Sequence, residues 1–212
     1  MPLYYLICGY RGTGKDTLYK WFCSDKTSQL WRRLSFKNIP SEQLIDSDCV
    51  NKTVKIGLAD AVKRDVLAAL QLPLFNHEAY KDKSLSEIED ALKVQLDPSI
   101  VKTKTLRDLY ISVGTTQKSK NINYWCEKAY LETEHEEIVC ITDWRFKHEY
   151  DYFKEKGTVI TVRVFRKDVP VPPEDVESEH SLDGFKTDLV YVPCIDFEQE
   201  KLELGKMFPQ YL

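Results

Sequence analysis

The sequence predicts an α/β fold with a parallel, doubly wound sheet and helices on both of its faces. Two observations carry this prediction. Short apolar runs of strand length recur along the chain and alternate with stretches of helical periodicity, which is the order that parallel βαβ units produce. A glycine-rich turn at residues 9–17 directly follows the first apolar run and precedes a helical pattern.

Five strands are expected from apolar runs that are rich in β-branched residues. They are predicted at residues 3–8, 54–59, 138–142, 159–164 and 189–192. Helical patterns follow each of the first three strands, and a fourth such pattern lies near the end of the sequence. The helices of this core are predicted from Leu18 onward, over 60–70 with a stop at Pro73, over 146–156 with a stop at Gly157, and over 197–207.

A helical block separates the second and third predicted strands. Ser86 and Glu89 have the spacing of a capping box that opens a helix, a second helix is expected from Thr105, and a third over 123–135. Gly114 is expected to end or bend the second one. The polar residues 24–52 are predicted to be loop and short helix.

These elements predict a single domain with three parts. The core comprises 1–72 and 136–212, and the helical region covers about 73–135. Residues 166–184 are polar, charged and interrupted by prolines, which predicts a mobile lid.

Composition excludes several classes of function. The 212 residues carry a formal net charge of −4, which argues against a general nucleic-acid binder and against binding to an anionic membrane. The six cysteines form no C-x-x-C pair and no zinc spacing. Because no cationic leader and no apolar run of bilayer length is present, we expect a soluble cytoplasmic protein, as a monomer or homodimer.

Residues 9–17 predict a phosphate-binding loop. Gly9, Gly12 and Gly14 let the backbone wrap a phosphate chain, so that amides and the helix N-terminus point at the anion. Lys15 would place its charge against the outer phosphates. The other loop residues expected at the nucleotide are Arg11, Thr13, Asp16 and Thr17. The alternative interpretation is a glycine-rich turn beside an exposed lysine.

The loop departs from the pattern G-x-x-x-x-G-K-[ST] at its last position. Asp16 stands where a hydroxyl normally contacts Mg²⁺, and Thr17 follows one residue later. A carboxylate can also hold Mg²⁺, directly or through water, so the departure changes the ligand more than the chemistry. We therefore predict that Asp16 is a magnesium-side residue.

Asp143 and Arg145 follow the third predicted strand. Asp143 could hold Mg²⁺ or its waters opposite the loop, and the alternative is a cap for the next helix. Arg145 could clamp a phosphate through two parallel hydrogen bonds, and the alternative is an ion pair with Glu149. Ligands of such sheets bind at the carboxyl ends of the strands, so both residues, the loop and Lys63 are expected at one rim.

Further residues are candidates for binding an acceptor or the phosphates. Lys63 lies in the first turn of a helix, where a cation opposes the helix dipole unless an anion binds. Arg107 opens a helix and Lys81 lies on the loop before it, with a solvated surface charge as the alternative for each.

Two more candidates lie near the end of the chain and in the helical block. Arg166, together with Arg163, leaves the fourth strand toward the lid and could close over the phosphates. Trp125 could stack on a base, and its alternative is packing in the core.

Together these residues resemble the deoxynucleoside monophosphate kinases of bacteriophages and large DNA viruses. The matching motifs are G-K-D-T at 14–17, L-A-D-A-V-K at 58–63, Y-K-D at 80–82, L-R-D at 106–108, T-D-W-R-F-K-H-E at 142–149 and S-E-H-S-L at 178–182. The resemblance implies a P-loop kinase fold with a core, an acceptor-binding arm and a lid. It also implies transfer of the γ-phosphate of ATP to a deoxynucleoside 5′-monophosphate with Mg²⁺.

By this resemblance Lys15, Asp16 and Thr17 serve ATP and Mg²⁺. The residues implied for the acceptor phosphate and the transition state are Lys63, Arg107 and Arg145. Animal-type phosphomevalonate kinases share the G-K-D loop and the pattern S-E-x-x-L-D, here at 178–183, and provide the alternative activity. A nucleotide-dependent switch or binding module is the alternative from another class.

Overall fold

The computed structural model describes residues 1–22, 53–72, 79–92, 105–174, 176–192 and 206. The predicted segment 24–52, the stop at Pro73 and, apart from the helical Lys206, the predicted C-terminal helix lie outside these residues. The chain divides into two compact units, one of Met1–Gly57 with Ala129–Leu212 and one of Leu58–Lys128.

The first unit is built on a five-stranded, all-parallel sheet, which confirms the predicted α/β class. The strands are β1 (Leu3–Cys8), β2 (Thr53–Ile56), β3 (Ile138–Ile141), β4 (Thr158–Val164) and β5 (Leu189–Tyr191). Their spatial order is β2-β3-β1-β4-β5, with every neighbouring pair parallel. The second strand ends three residues earlier than predicted, because the chain already turns into a helix at Leu58.

Helices alternate with these strands along the chain. They are α1 (Lys15–Phe22), α2 (Leu58–Ala69), α3 (Leu85–Leu92), α4 (Leu106–Lys120), α5 (Tyr124–Thr133), α6 (Lys147–Lys156) and the short α7 (Glu177–His180). Of these, α2, α3 and α4 belong to the second unit, which therefore begins earlier in the chain than the predicted helical region.

Strand β1 is central and buried on both faces. Successive side chains of a strand point to opposite faces. On one face Tyr5 and Ile7 pack in a cluster with Leu18 of α1. On the other face Tyr4 contacts Phe153 of α6, with ring centroids 5.0 Å apart. Helices therefore cover both faces of β1.

The same contacts locate a crevice at the sheet edge. Strands β1 and β3 are neighbours, and the helices that follow them, α1 and α6, pack on opposite faces. In doubly wound sheets such a reversal between adjacent strands opens a crevice beyond their carboxyl ends. These two strands end at Cys8 and at Ile141. The glycine loop, which starts directly after Cys8, and Asp143, which follows Ile141 by two residues, are therefore expected at this crevice.

The second unit has a helical core that joins α2, α3 and α4. Val66, Leu85, Ile88 and Leu106 are buried together in it.

The capping box of α3 is formed by Ser84 and Glu87, two residues before the predicted pair. The Ser84 N–H donates to the Glu87 carboxylate over 2.8 Å, and the Glu87 N–H donates to the Ser84 hydroxyl over 3.3 Å.

Helix α4 corrects the prediction for Gly114. We expect from the sequence that Gly114 ends or bends a helix, but α4 continues through it to Lys120. A methyl group at Gly114 would meet Val62 at an ordinary 3.8 Å. The Gly114 carbonyl accepts a hydrogen bond of 3.1 Å from the Trp125 indole. The glycine therefore lies within a continuous helix at a packed position.

Gly157 provides a test of the packing around β1. Its backbone is extended, with φ −174°, so its conformation does not require glycine. A Cβ there would lie 2.3 Å from the Pro2 carbonyl oxygen and 3.0 Å from the Tyr4 ring. We expect Gly157→Ala to lower the free energy of unfolding by about 1–3 kcal/mol, measured by urea unfolding.

The matched control is Gly184→Ala, where an added Cβ meets nothing within 4 Å. This control should change the free energy of unfolding by less than about 0.5 kcal/mol. Equal stability of Gly157→Ala and the parent protein would contradict the close approach of Pro2 to this position.

Candidate functional site

Strand β1 runs directly into a loop whose conformation depends on glycine. Gly9, Gly12 and Gly14 have φ angles of +143°, +90° and +96°, which only glycine adopts without strain. A Cβ at Gly9 would lie 2.4 Å from the Val164 carbonyl oxygen, whereas one at Gly12 would meet nothing within 4 Å. The backbone at Gly12 is therefore open to the approach of a ligand.

Hydrogen bonds within the loop hold its shape. The backbone N–H and the hydroxyl of Thr13 donate to the Tyr10 carbonyl oxygen over 3.2 and 2.9 Å. Thr13 is 2% exposed, so its side chain supports the loop from inside, while Arg11 and Thr17 are exposed.

Lys15 reaches back from the start of α1 over the loop. Its Nζ donates to the carbonyl oxygens of Gly9 and Tyr10 over 2.7 and 3.0 Å. An ammonium has three donors, so these two bonds leave one for an anion. Burial lowers the pKa of Lys15, and the nearby charge of Arg145 lowers it further. Such a cation is stabilised when a negatively charged group binds beside it.

A cavity at this edge brings the predicted residues together. It encloses about 310 Å³, its open mouth included, and its walls contain Lys15, Asp143 and Arg145. These residues come from α1 and from the segment between β3 and α6. Glu179 and Arg163 line the same cavity. Three of the four predicted catalytic residues thus share one space, and the fourth, Arg107, belongs to the second unit.

The guanidinium of Arg145 is engaged by the 178–183 segment. Its Nη1 forms an ion pair with Glu179 and lies 3.4 Å from both the carbonyl and the hydroxyl oxygen of Ser178. Glu149, the partner considered from the sequence, accepts from the backbone N–H groups of Arg145 and Phe146 over 2.8 and 3.0 Å. Phe146 is the N-cap of α6, so the capping role considered for Asp143 falls to other residues.

Asp16, in the first turn of α1, has a cationic partner that the sequence reasoning missed. Lys55 of β2 places its Nζ 2.5 Å from the Asp16 carboxylate, and the Thr142 hydroxyl lies 3.4 Å from it. Partial burial alone would raise the pKa of Asp16, but Lys55 and Thr142 hold it below its usual value. A lysine near the carboxyl end of an otherwise apolar strand was the available signal for Lys55.

Asp143 lines the cavity and Asp16 lies beside Lys15 in the first turn of α1, and these two carboxylates fit Mg²⁺ only together with phosphate. Asp16 and Asp143 supply the oxygen ligands that Mg²⁺ prefers. Within the described ranges, no group of three or more His, Cys, Asp or Glu side chains could hold a metal ion. Mg²⁺ usually takes one or two carboxylates together with phosphate oxygens and water. The residues therefore suit a metal ion shared with a phosphate chain.

Glu179 is a second residue that the sequence reasoning did not assign to the site. Its carboxylate accepts from the backbone N–H of Arg11 over 3.0 Å and pairs with Arg145. Its side chain is only 10% exposed. Burial alone would raise the pKa of Glu179, but Arg145, the Arg11 amide and Lys15 lower it. The carboxylate is therefore ionised at neutral pH among these donors.

A cluster around Asp183 ties the same segment to the loop. The Asp183 carboxylate accepts from the Tyr10 hydroxyl over 3.0 Å and contacts Nδ1 of His180 at 2.8 Å. Arg163 is 3% exposed and donates to the Leu182 carbonyl oxygen. Arg163 thus connects β4 to the turn that follows α7.

Arg166 follows β4 and lies among exposed residues. Its Nε donates to the Asp168 carboxylate over 3.0 Å, and its Nη2 contacts the same carboxylate. The predicted lid is described at 166–174 and 176–184, and Arg166 stands at its first position. The assignment of Arg166 to a nucleotide phosphate stays a prediction.

In the second unit, Arg107 and Lys81 lie at one place. Both Nε and Nη2 of Arg107 bond to the Asp82 carboxylate, the latter over 3.1 Å. The Arg107 backbone N–H donates to the Lys81 carbonyl oxygen over 2.8 Å. The start of α4 is thereby joined to the preceding loop. The Arg107 guanidinium binds the Asp82 carboxylate through two nitrogens.

Lys63 and Trp125 have different surroundings within that unit. Lys63 is half-buried and contacts the Asp60 carboxylate at 3.1 Å, one turn earlier in α2. Trp125 is 5% exposed and packs with Ala61 and Val62. The packing alternative for Trp125 therefore describes its position in the structure.

No protein-family model matches the chain, and no curated protein sequence matches it. Among the described parts of the chain, no helix combines the length and apolar character that crossing a membrane requires. A fold by itself does not determine a function, so the residues of the cavity carry the functional interpretation.

The ring of His180 predicts a pH-dependent contact. Nδ1 faces the Asp183 carboxylate, and Nε2 lies 3.1 Å from the Pro172 carbonyl oxygen. Both neighbours are acceptors, so both bonds form only when the ring is protonated. The hydrogen bond to Asp183 is the main cause that raises the pKa of His180 above 6.5. Tyr10, Arg163 and Asp183 are the other ionisable groups of this cluster.

We expect His180 to stabilise the fold fully below its unfolded pKa of about 6.5 and to lose this effect as the pH rises through its folded pKa. The measurement is the free energy of unfolding of the parent protein and of His180→Ala from about pH 5 to about pH 9. The difference between them should shrink at high pH. His135→Ala is the control, since His135 is 91% exposed. A difference that is constant over the whole range would contradict the protonated bridge.

Proposed function

We propose that the chain is an ATP-dependent deoxynucleoside monophosphate kinase with a P-loop kinase fold. The observation that carries the proposal is the convergence of Lys15, Asp143 and Arg145 on one cavity beside the glycine loop. A phosphoryl group in transfer spreads negative charge over three oxygens, and cations around it stabilise that charge. An ammonium and a guanidinium from separate elements meet this requirement.

The environment of Lys15 supports a role in charge stabilisation. The ammonium is half-buried and donates to the loop carbonyls, and burial lowers its pKa. A unit charge about 4 Å away contributes roughly 4 kcal/mol at an effective dielectric of about 20, but only about 1 kcal/mol in water. The half-buried position of Lys15 therefore strengthens the electrostatic attraction between its ammonium and the outer phosphates.

Asp16 and Asp143 are the residues that would hold Mg²⁺ in this proposal. The chemistry that a bound Mg²⁺ would supply there is neutralisation of the negative charge that develops on the phosphate oxygens during transfer. Lys55 keeps Asp16 ionised and balances its charge before a metal ion binds. Arg145 is assigned to the transferring or acceptor phosphate, because a guanidinium binds such oxygens through parallel hydrogen bonds.

The acceptor assignments rest on the resemblance and on the geometry inside the second unit. Arg107 binds the Asp82 carboxylate through two nitrogens, which is the arrangement that a guanidinium also uses for a phosphate. Lys63 and Lys81 are proposed as further cations for the acceptor. The proposal also includes a cytoplasmic location, in which the cysteines stay reduced, and a monomeric or homodimeric state.

A coupled assay of ADP release tests the activity. The acceptors are the four deoxynucleoside monophosphates, phosphomevalonate, and no acceptor. The proposal expects turnover with at least one deoxynucleoside monophosphate. Turnover with phosphomevalonate alone would assign the protein to the other kinase class. ATP hydrolysis that no acceptor changes would favour a nucleotide-dependent switch.

The first variant test concerns the two cations of the cavity. We expect Lys15→Ala and Arg145→Ala each to lower kcat by about 10²-fold or more, because each removes a preorganised charge from the transition state. The matched control is Lys147→Ala, which removes an exposed cation two residues after Arg145 that pairs with Asp151. Parent rates in the first two variants, with all three proteins folded by circular dichroism, would contradict the assignments.

The second variant test concerns the metal. We expect Asp16→Asn to raise the Mg²⁺ concentration needed for half-maximal activity by about tenfold or more, because a neutral amide is a poorer magnesium ligand. Asp151→Asn, an exposed carboxylate of α6, is the control. An unchanged Mg²⁺ titration of Asp16→Asn would remove Asp16 from the metal side of the site.

A further inference from the structure

We propose that the Glu179 carboxylate occupies a phosphate subsite of the glycine loop, from which a bound phosphate chain must displace it. The inference rests on the proposed function and deepens it, since it identifies the group that competes with the ligand. It concerns one side chain of α7 and the donors that surround it.

The donors around Glu179 are those of a phosphate site. One carboxylate oxygen, Oε2, accepts from the backbone N–H of Arg11 in the loop over 3.0 Å, and the other, Oε1, pairs with the guanidinium of Arg145. The ammonium of Lys15 is close enough to interact electrostatically with the carboxylate. A loop amide and two converging cations are the groups that proteins use to bind phosphate oxygens.

The burial of Glu179 means that its carboxylate requires the partners that surround it. Its side chain is nine-tenths buried, and a buried carboxylate is stable only where charged or hydrogen-bonding partners compensate its lost hydration. These partners are the predicted phosphate ligands of the loop and of the β3–α6 segment. Glu179 therefore satisfies them in this structure, and a phosphate chain requires the same amide and the same guanidinium.

The exchange leaves other contacts of the 178–183 segment in place. The Ser181 hydroxyl donates to the Arg145 carbonyl oxygen, and the Tyr10 hydroxyl donates to the Asp183 carboxylate over 3.0 Å. Neither bond uses the donors that Glu179 uses. A phosphate chain can thus replace the carboxylate while the segment stays attached to the loop through these two bonds.

A different role for Glu179 predicts an effect of opposite sign. If the carboxylate served only to orient Arg145, its neutralisation would loosen the guanidinium and weaken phosphate binding. If the carboxylate competes for the subsite, its neutralisation strengthens phosphate binding, because the competing anion is gone. Binding measured with Glu179→Gln therefore separates the two roles.

The experiment is isothermal titration calorimetry of inorganic tripolyphosphate, without metal, into the parent protein, Glu179→Gln and Glu177→Gln. Glu177 is exposed on the same short helix, so its variant removes an equal charge two residues away. We expect Glu179→Gln to bind about tenfold tighter or more, the change that losing a competing charge-assisted contact produces. Glu177→Gln should stay within about twofold of the parent protein.

Each outcome decides the inference. Equal or weaker binding by Glu179→Gln overturns it and leaves the proposed phosphate site standing, provided that the parent protein binds. Binding by none of the three proteins overturns the inference, and the assay of ADP release then decides the proposed function separately. If thermal melting shows that Glu179→Gln is unfolded, Glu179→Asp replaces it, because it draws the carboxylate back by one methylene. Glu179→Asp must then bind tighter than the parent protein, and equal or weaker binding overturns the inference.

Discussion

The burial of β1 between two helices is the constraint on which the site depends. Leu18 of α1 packs on one face of the strand, and Phe153 of α6 packs on the other. The chain therefore leaves the neighbouring strands β1 and β3 in opposite directions. Such a reversal opens a crevice beyond the carboxyl ends of the two strands, where a doubly wound sheet binds its ligand. The polar residues of the cavity are a consequence of this packing.

The charged side chains at and near the site form ion pairs within the protein. Arg145 is paired with Glu179, and Asp16 with Lys55. Of these four side chains, only Glu179 is largely buried, with 10% of its side chain exposed, and because an uncompensated buried charge costs several kcal/mol, this carboxylate requires the pairing with Arg145. A ligand with phosphates and a divalent cation carries the same two kinds of charge. In the proposed function, such a ligand would find a partner of opposite sign at Arg145 and at Asp16.

The sequence predicted the parts of this structure that depend on local pattern. Apolar runs located all five strands, and the glycine loop located Lys15 and Asp16, because strand burial and positive φ angles leave a signature in neighbouring residues. The capping box was assigned two residues late because S-x-x-E occurs twice in overlapping register. Glu179 was missed for another reason: its partners lie more than 30 residues away in the chain, and no local pattern encodes such a pairing.

The two neighbours Glu179 and His180 attach the 178–183 segment to the protein in different ways. Glu179 holds a loop amide and a guanidinium, which are groups that a phosphate can bind equally well. His180 holds the Asp183 carboxylate and the Pro172 carbonyl, which are acceptors and cannot bind a phosphate. In the proposed exchange, an anionic ligand therefore displaces the first contact but not the second. Protonation of His180 changes only the contacts of His180 with Asp183 and Pro172. Ligand binding and pH are therefore proposed to affect different contacts of the same segment.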